Sequence, residues 1–154
     1  MLSETQFAPH FSLPDETGTL RTLKAEAGKW VVIYFYPKDN TPGCIQEACT
    51  IRDAYNEFHE LGATVFGVSK DSVDSHATFK AKYQLPFALL SDETGEMIKS
   101  YGALTEKSIF GVKYMGIERM TYLIDPEGKV AKVYPKVNPT DHAHEILADL
   151  KALQ

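Results

Sequence analysis

The sequence predicts an α/β protein: a central mixed β-sheet flanked by helices, with a small hairpin ahead of it. Three observations carry this. The run "GKWVVIYFYP", residues 28–37, is continuously apolar, β-branched and aromatic, as suits a strand buried on both faces. Helix-like and strand-like segments then alternate through the middle of the chain. The C-terminal third offers a hairpin and one closing helix.

Each element has its own justification. "FSLPDETGTLRTL", residues 11–23, reads as a hairpin with Gly18 at the turn. After the central strand, "PGCIQEACTIRDAYNEFHELG", residues 42–62, reads as one helix. Pro42 suits its first position, Ile45, Ala48, Ile51, Tyr55 and Phe58 recur at helical spacing, and Gly62 suits its end. "ATVFGVSKD" is a second strand, "SHATFKAKYQL" a helix, "FALLSD" a short strand and "ETGEMIKSYG" a short helix. "ERMTYLIDPEGKVAKVYP" folds back on itself at Asp-Pro-Glu-Gly, and "TDHAHEILADLKAL" closes the chain, with Thr140 or Asp141 as N-cap. This order matches the layout of the thioredoxin-like fold. In open α/β sheets the reactive end lies where strands finish and helices begin.

The totals exclude several classes. The 154 residues fit one domain, residues 1–154, able to bury its own core without disulfides. A net charge of −5 with no basic cluster argues against nucleic acid, and no apolar run is long enough to span a membrane. "MLSETQFAPHF" does not read as a secretory signal, so a cytoplasmic location is expected, where a lasting structural disulfide is rare. His142 and His144 are two apart on a helix, point to different faces and read as exposed histidines. His10, His59 and His76 form no pattern. No metal or other cofactor is implied.

The chemistry gathers at "DNTPGC", residues 39–44, behind the central strand. It delivers Cys44 into the first turn of a helix, where unpaired backbone N–H groups and the helix dipole favour thiolate over thiol. Pro42 fixes the entry of the chain, Gly43 permits close approach, and Thr41 can place a hydroxyl beside the sulfur. Each residue also has an ordinary reading: a small buried cysteine, a first-turn proline, a helix-capping threonine. Cys49 is the only other cysteine.

The full pattern carries a resemblance. Pro37, Thr41 and Cys44 match the Pro-x-x-x-Thr/Ser-x-x-Cys motif of peroxiredoxins, and "YFYPKDNTPGCIQEAC" resembles their bacterioferritin comigratory protein, or peroxiredoxin Q, branch. The likeness extends through "FGVSKDSVDSHATFKAKYQLPFALLSD", "KYMGIERMTYLIDPEGKV" and "YPKVNPTDHAHEIL". Ile45 and Ile51 depart from it, standing where the family usually has Thr and Phe.

That resemblance implies a thiol-dependent peroxidase. Cys44 would attack hydrogen peroxide or an organic hydroperoxide and become a sulfenic acid, and Cys49 would resolve it as a Cys44–Cys49 disulfide. A thioredoxin- or glutaredoxin-like protein would then reduce the disulfide. Thr41 and Arg119 match the groups that face thiolate and peroxide, Glu47 the carboxylate that holds the arginine, and Pro37 the residue that shields the sulfur. The resolving cysteine lies on the same chain, so a monomer is expected. A general thiol-disulfide oxidoreductase or a redox sensor on the same fold remains the alternative. The first normally shows Cys-x-x-Cys, here replaced by a spacing of four intervening residues. The second would need an exposed apolar surface that the sequence does not advertise.

Overall fold

The computed structural model describes residues 1–154. Its elements run β1 (Ser12–Pro14), β2 (Leu20–Thr22), β3 (Trp30–Phe35), α1 (Pro42–Asp53), α2 (Tyr55–Glu60), β4 (Ala63–Ser69), α3 (Val73–Tyr83) and β5 (Ala88–Ser91). They continue as α4 (Glu96–Ser100), β6 (Leu104–Ile109), β7 (Val112–Ile117), β8 (Met120–Ile124), β9 (Val130–Tyr134) and α5 (His142–Leu153).

Five strands form the central sheet in the order β5-β4-β3-β8-β9. β3 pairs parallel with β4, Val32 opposite Val65, and antiparallel with β8, Val32 opposite Leu123. This central position explains the unbroken apolar run, because alternate residues of β3 serve two cores. Val31, Ile33 and Phe35 join Phe66, Ile98, Tyr101 and Tyr122. Val32, Tyr34 and Tyr36 join Cys44, Ala48, Ile51, Phe58, Ile146 and Leu150. The second cluster seats α1 on the sheet, so the cysteine of the first turn is packed between helix and strand. The expected N-terminal hairpin is β1 paired with β2, and Gly18 turns it at φ 83°.

Three features differ from the sequence reading. The helix expected over 42–62 breaks at Ala54, where the Thr50 hydroxyl has taken the Gln46 carbonyl four residues back and the Ala54 N–H is shared among several carbonyls. Such back-bonding bends helices. Residues 104–117, which show no clear period, form the separate hairpin β6–β7. Its end exposes Ile109, Phe110, Val112 and Met115, an apolar surface the sequence did not advertise. His142 is buried, not exposed: its Nε2 meets the Thr121 hydroxyl at 2.6 Å and its ring packs edge-on to Tyr134. Burial lowers its pKa to about 4.

Candidate active site

The site grows from the join of β3 and α1. β3 reaches the end of the sheet, the Tyr36 N–H still bonds the Val68 carbonyl, and the chain then leaves through residues 37–41. Asn40 adopts a left-handed conformation, φ 59°, and Thr41 takes the N-cap position. The Ile45 N–H bonds the Thr41 carbonyl at 2.8 Å, closing the first turn of α1. Pro42 has no N–H to give, and the N–H groups of Gly43 and Cys44 find no acceptor in the chain. Two donors are left at the helix start, beside the sulfur.

Cys44 is 2% exposed and carries a free thiol. Arg119, in the short link between β7 and β8, reaches it: Nη2 donates to the sulfur at 3.4 Å and Nη1 donates to Glu47 Oε1 at 3.0 Å. Glu47 is three residues beyond Cys44, hence on the same helix face, and is almost fully buried. Burial pushes the Glu47 carboxyl up to about 7, against the pull of Arg119. Burial works against the Arg119 charge as well. Cys44 and Glu47 more than offset it, and the guanidinium is held above its ordinary pKa. Glu47 Oε2 has no partner, nor has the buried Tyr34 hydroxyl on the strand beneath α1. Burial first, then the nearby charges of Glu47, Cys44 and Asp39, raise the Tyr34 pKa well above the usual range.

The structure thus brings together Cys44, Arg119 and Glu47. The other expected residues are placed less directly. The Thr41 hydroxyl donates to the Lys38 carbonyl at 2.9 Å and makes no bond to the sulfur. It offers the site its lone pairs instead of its proton. Gly43 does permit a close approach, but what approaches is Arg119, whose Nη2 lies 3.1 Å from where a side-chain carbon would stand. Pro37 is exposed at the head of the loop, and the sulfur is covered by the cluster around Tyr34, Tyr36 and Ala48. Cys49 is half-buried further along α1, also as a free thiol. At five residues apart on a helix, two Cα atoms stand roughly 8.6 Å from each other, beyond the ~7 Å limit of a disulfide.

The sequence reading missed Tyr34, which looked like one more apolar residue of the strand. It also missed a polar group of Tyr36, Asp39, Asp71 and His76 behind the loop. An aspartate directly ahead of the left-handed Asn40 was the one available signal.

A thioredoxin-like sheet that holds a buried thiol against a paired arginine at a helix start defines a class, the thiol peroxidases. The particular family follows from comparison: the AhpC/TSA family model matches residues 5–133. A peroxiredoxin Bcp of Bacillus subtilis is 46% identical over 146 residues, covering 95% of this chain and 93% of that protein. A peroxiredoxin Q structure from Xylella fastidiosa superposes with TM-score 0.94 at 36% identity, covering 99% of this chain and 98% of that one. The bacterioferritin comigratory protein of Xanthomonas campestris, solved in a study of its alkyl peroxide reduction, gives TM-score 0.90 at 43% identity over 93% and 91% of the two chains. The chain belongs to the AhpC/TSA family, in its bacterioferritin comigratory protein and peroxiredoxin Q branch. Its activity is that of a thiol peroxidase.

Proposed function

We propose that Cys44 is the peroxidatic cysteine and Cys49 the resolving cysteine of a peroxidase that accepts hydrogen peroxide and organic hydroperoxides. The observation that carries this reading is the contact of Arg119 with both the Cys44 sulfur and Glu47. The thiolate attacks the terminal peroxide oxygen, an S–O bond forms and the O–O bond breaks. Sulfur supplies two electrons, the other oxygen leaves as an alkoxide or hydroxide and takes a proton, and Cys44 becomes a sulfenic acid. The Cys49 thiol then condenses with it, water leaves, and a Cys44–Cys49 disulfide remains for a thioredoxin- or glutaredoxin-like dithiol to reduce.

Ionisation of the thiol does not suffice for this chemistry. For any thiol, lowering the pKa from ~8.5 to ~6 raises the thiolate fraction at pH 7 about 30-fold. A nucleophilicity slope of ~0.45, borrowed from thiol-disulfide exchange, then takes back roughly 13-fold. The rest must come from groups that stabilise the breaking O–O bond. Arg119 and the free N–H groups of Gly43 and Cys44 are donors for that charge. Thr41, its own proton engaged by Lys38, accepts the proton of the peroxide and orients it. Glu47 holds Arg119 in place.

The chain acts as one peroxidase domain over 1–154, as a monomer and in the cytoplasm, without metal or cofactor. No helix is long and apolar enough to cross a membrane. One equivalent of peroxide should reduce the protein mass by two hydrogens with no oxygen added. Cys44→Ser should abolish turnover, and Cys49→Ser should leave one rapid turnover that ends in sulfenic acid. A Cys44→Ser protein that still consumes peroxide would overturn the assignment.

A further inference from the structure

The loop that presents Thr41 and Cys44 has no regular structure. At its exposed edge Asn40 Oδ1 accepts from the Tyr83 hydroxyl at 3.3 Å and from Lys82 Nζ at 3.4 Å, and the buried Asp39 carboxylate ties it to the scaffold from inside. Asp39 Oδ1 accepts from the Tyr36 hydroxyl at 2.6 Å. Oδ2 accepts from the Ser75 hydroxyl at 2.8 Å and faces His76 Nδ1 at 2.7 Å. The Asp39 N–H donates to Asp71 Oδ2 at 2.8 Å, and the Ser69 hydroxyl bonds that same oxygen at 2.6 Å. These partners stand on or beside regular elements: Tyr36 directly after β3, Ser69 at the end of β4, Ser75 and His76 on α3. The loop is pinned to the scaffold at the residue next to Lys38, whose carbonyl takes the Thr41 proton.

His76 decides the proton count. The ring is 0% exposed, and Nε2 lies 3.0 Å from the Leu90 carbonyl. A carbonyl only accepts, so Nε2 carries a proton. Nδ1 and the carboxylate oxygen both hold lone pairs toward each other, and a contact this short requires a second proton between them. The Asp39–His76 pair holds one proton more than a neutral imidazole beside a carboxylate, and as a unit it is electrically neutral. What holds the carboxylate from this side is the Nδ1–Oδ2 hydrogen bond, and a side chain that places no donor there leaves Asp39 Oδ2 buried and short of a partner.

We infer that His76 is a positioning residue for peroxide reduction: the proton it shares with Asp39 fixes residues 38–41, and through them the Thr41 hydroxyl and the Cys44 sulfur relative to Arg119. This deepens the function proposed above and rests on its roles for Cys44 and Thr41. His76 touches neither of them. It acts along the path from Asp39 to the Lys38 carbonyl to the Thr41 hydroxyl. A misplacement of 1 Å originating far from the reacting atoms can cost about 10²-fold in rate.

Two substitutions divide the ring into its halves. His76→Asn puts an amide where Nδ1 stands and can still donate to Asp39. His76→Gln puts one where Nε2 stands and keeps only the Leu90 bond. In single-turnover oxidation by hydrogen peroxide, His76→Asn should stay within about threefold of the parent rate and His76→Gln should lose about 30-fold or more. Alkylation by iodoacetamide, which needs no oriented peroxide, should change by less than about threefold in both. Equal losses in the two variants, or losses that follow their melting temperatures, would reduce His76 to packing and overturn the proposal. A measurement on the unaltered protein stands apart from variant folding: nitrogen-15 spectra should show exchange-protected protons at both ring nitrogens of His76. A single one would overturn the shared proton. Peroxide oxidation of Cys49 in place of Cys44 would instead refute the function proposed above, while both ring protons remained visible.

Discussion

Arg119 lies across the α-carbon of Gly43. A side-chain carbon at position 43 would stand 3.1 Å from Nη2 and 3.6 Å from the guanidinium carbon, and the same Nη2 is 3.4 Å from the Cys44 sulfur. The glycine between Pro42 and Cys44 is therefore a requirement of space. Its backbone is helical, and what it accommodates is a side chain arriving from beyond β7.

Gly43→Ala should separate stability from activity. Alanine in a helix gains roughly 0.5–1 kcal/mol over glycine, so the melting temperature should hold or rise. The guanidinium must retreat by a few tenths of an ångström, and peroxide reduction should slow by about tenfold. A stabilised variant with the parent rate would show that the exact placement of Arg119 does not limit the reaction.

Arg119→Met tests the donor role more directly. Losing a donor to developing negative charge typically costs on the order of 10²–10³ in rate, and the loss should appear with hydrogen peroxide. Reaction with iodoacetamide, which reports mainly on thiolate character, should fall far less. Matching losses toward both reagents would confine Arg119 to setting the ionisation of the thiol.

The proposed Cys44–Cys49 disulfide requires α1 to open. Its first turns are held by the Arg119–Glu47 pair and by the Gln46 amide, which donates to the Thr140 hydroxyl at 3.0 Å. Both ties sit between or beside the two cysteines, so bringing Cys49 to Cys44 must strain or release them. Oxidation should sharply raise amide hydrogen exchange over residues 43–52 and leave β3 protected, as expected for local opening. An oxidised protein with the bond formed and the segment still protected would contradict this.

Two buried groups should tilt stability with pH in opposite directions. Glu47 titrates at about 7 in the folded protein against an ordinary 4.5. Between those values the native state keeps a proton that the unfolded chain has released, so stability falls as pH rises. His142 titrates at about 4 against an ordinary 6.5. There the unfolded chain holds the extra proton, and stability rises with pH. Relative to the parent protein, Glu47→Gln should gain stability as pH goes from 4.5 to 7, and His142→Gln should lose it as pH goes from 4 to 6.5. Each effect is at most about 3 kcal/mol. Urea midpoints across this range would measure both slopes, and parallel curves for parent and variants would refute the assignment.

The central strand, the start of the helix carrying the cysteines and the closing helix were legible because apolar pattern and start signals pointed the same way. The end of that cysteine helix was not legible, because the apolar period runs on past the break at Ala54 to Gly62. β6–β7 was not, since a two-stranded ribbon exposed on both faces leaves no alternation to read. His142 followed the period of a core helix face, but a polar residue was assigned to solvent. At the site, Cys44 at a helix start could be read from Pro42 and its neighbours. That Arg119 meets it across 75 positions could be expected only through the family resemblance, because no local pattern encodes a contact that the β3–β8 pairing creates. His76 looked like an isolated histidine for the same reason: its partner Asp39 is 37 residues away.

The separation of Cys44 from Arg119 also has a consequence in time. A ribosome adding 5–20 residues per second needs roughly 4–15 s to travel from one to the other. Until β8 has emerged, β3 lacks its antiparallel neighbour and the sulfur lacks its guanidinium. A nascent chain therefore carries a thiol without the group that faces it, and so does any fragment ending before residue 119. The site is completed late, by an arginine from the last third of the sequence, and a chain shorter than that lacks the guanidinium that faces the sulfur.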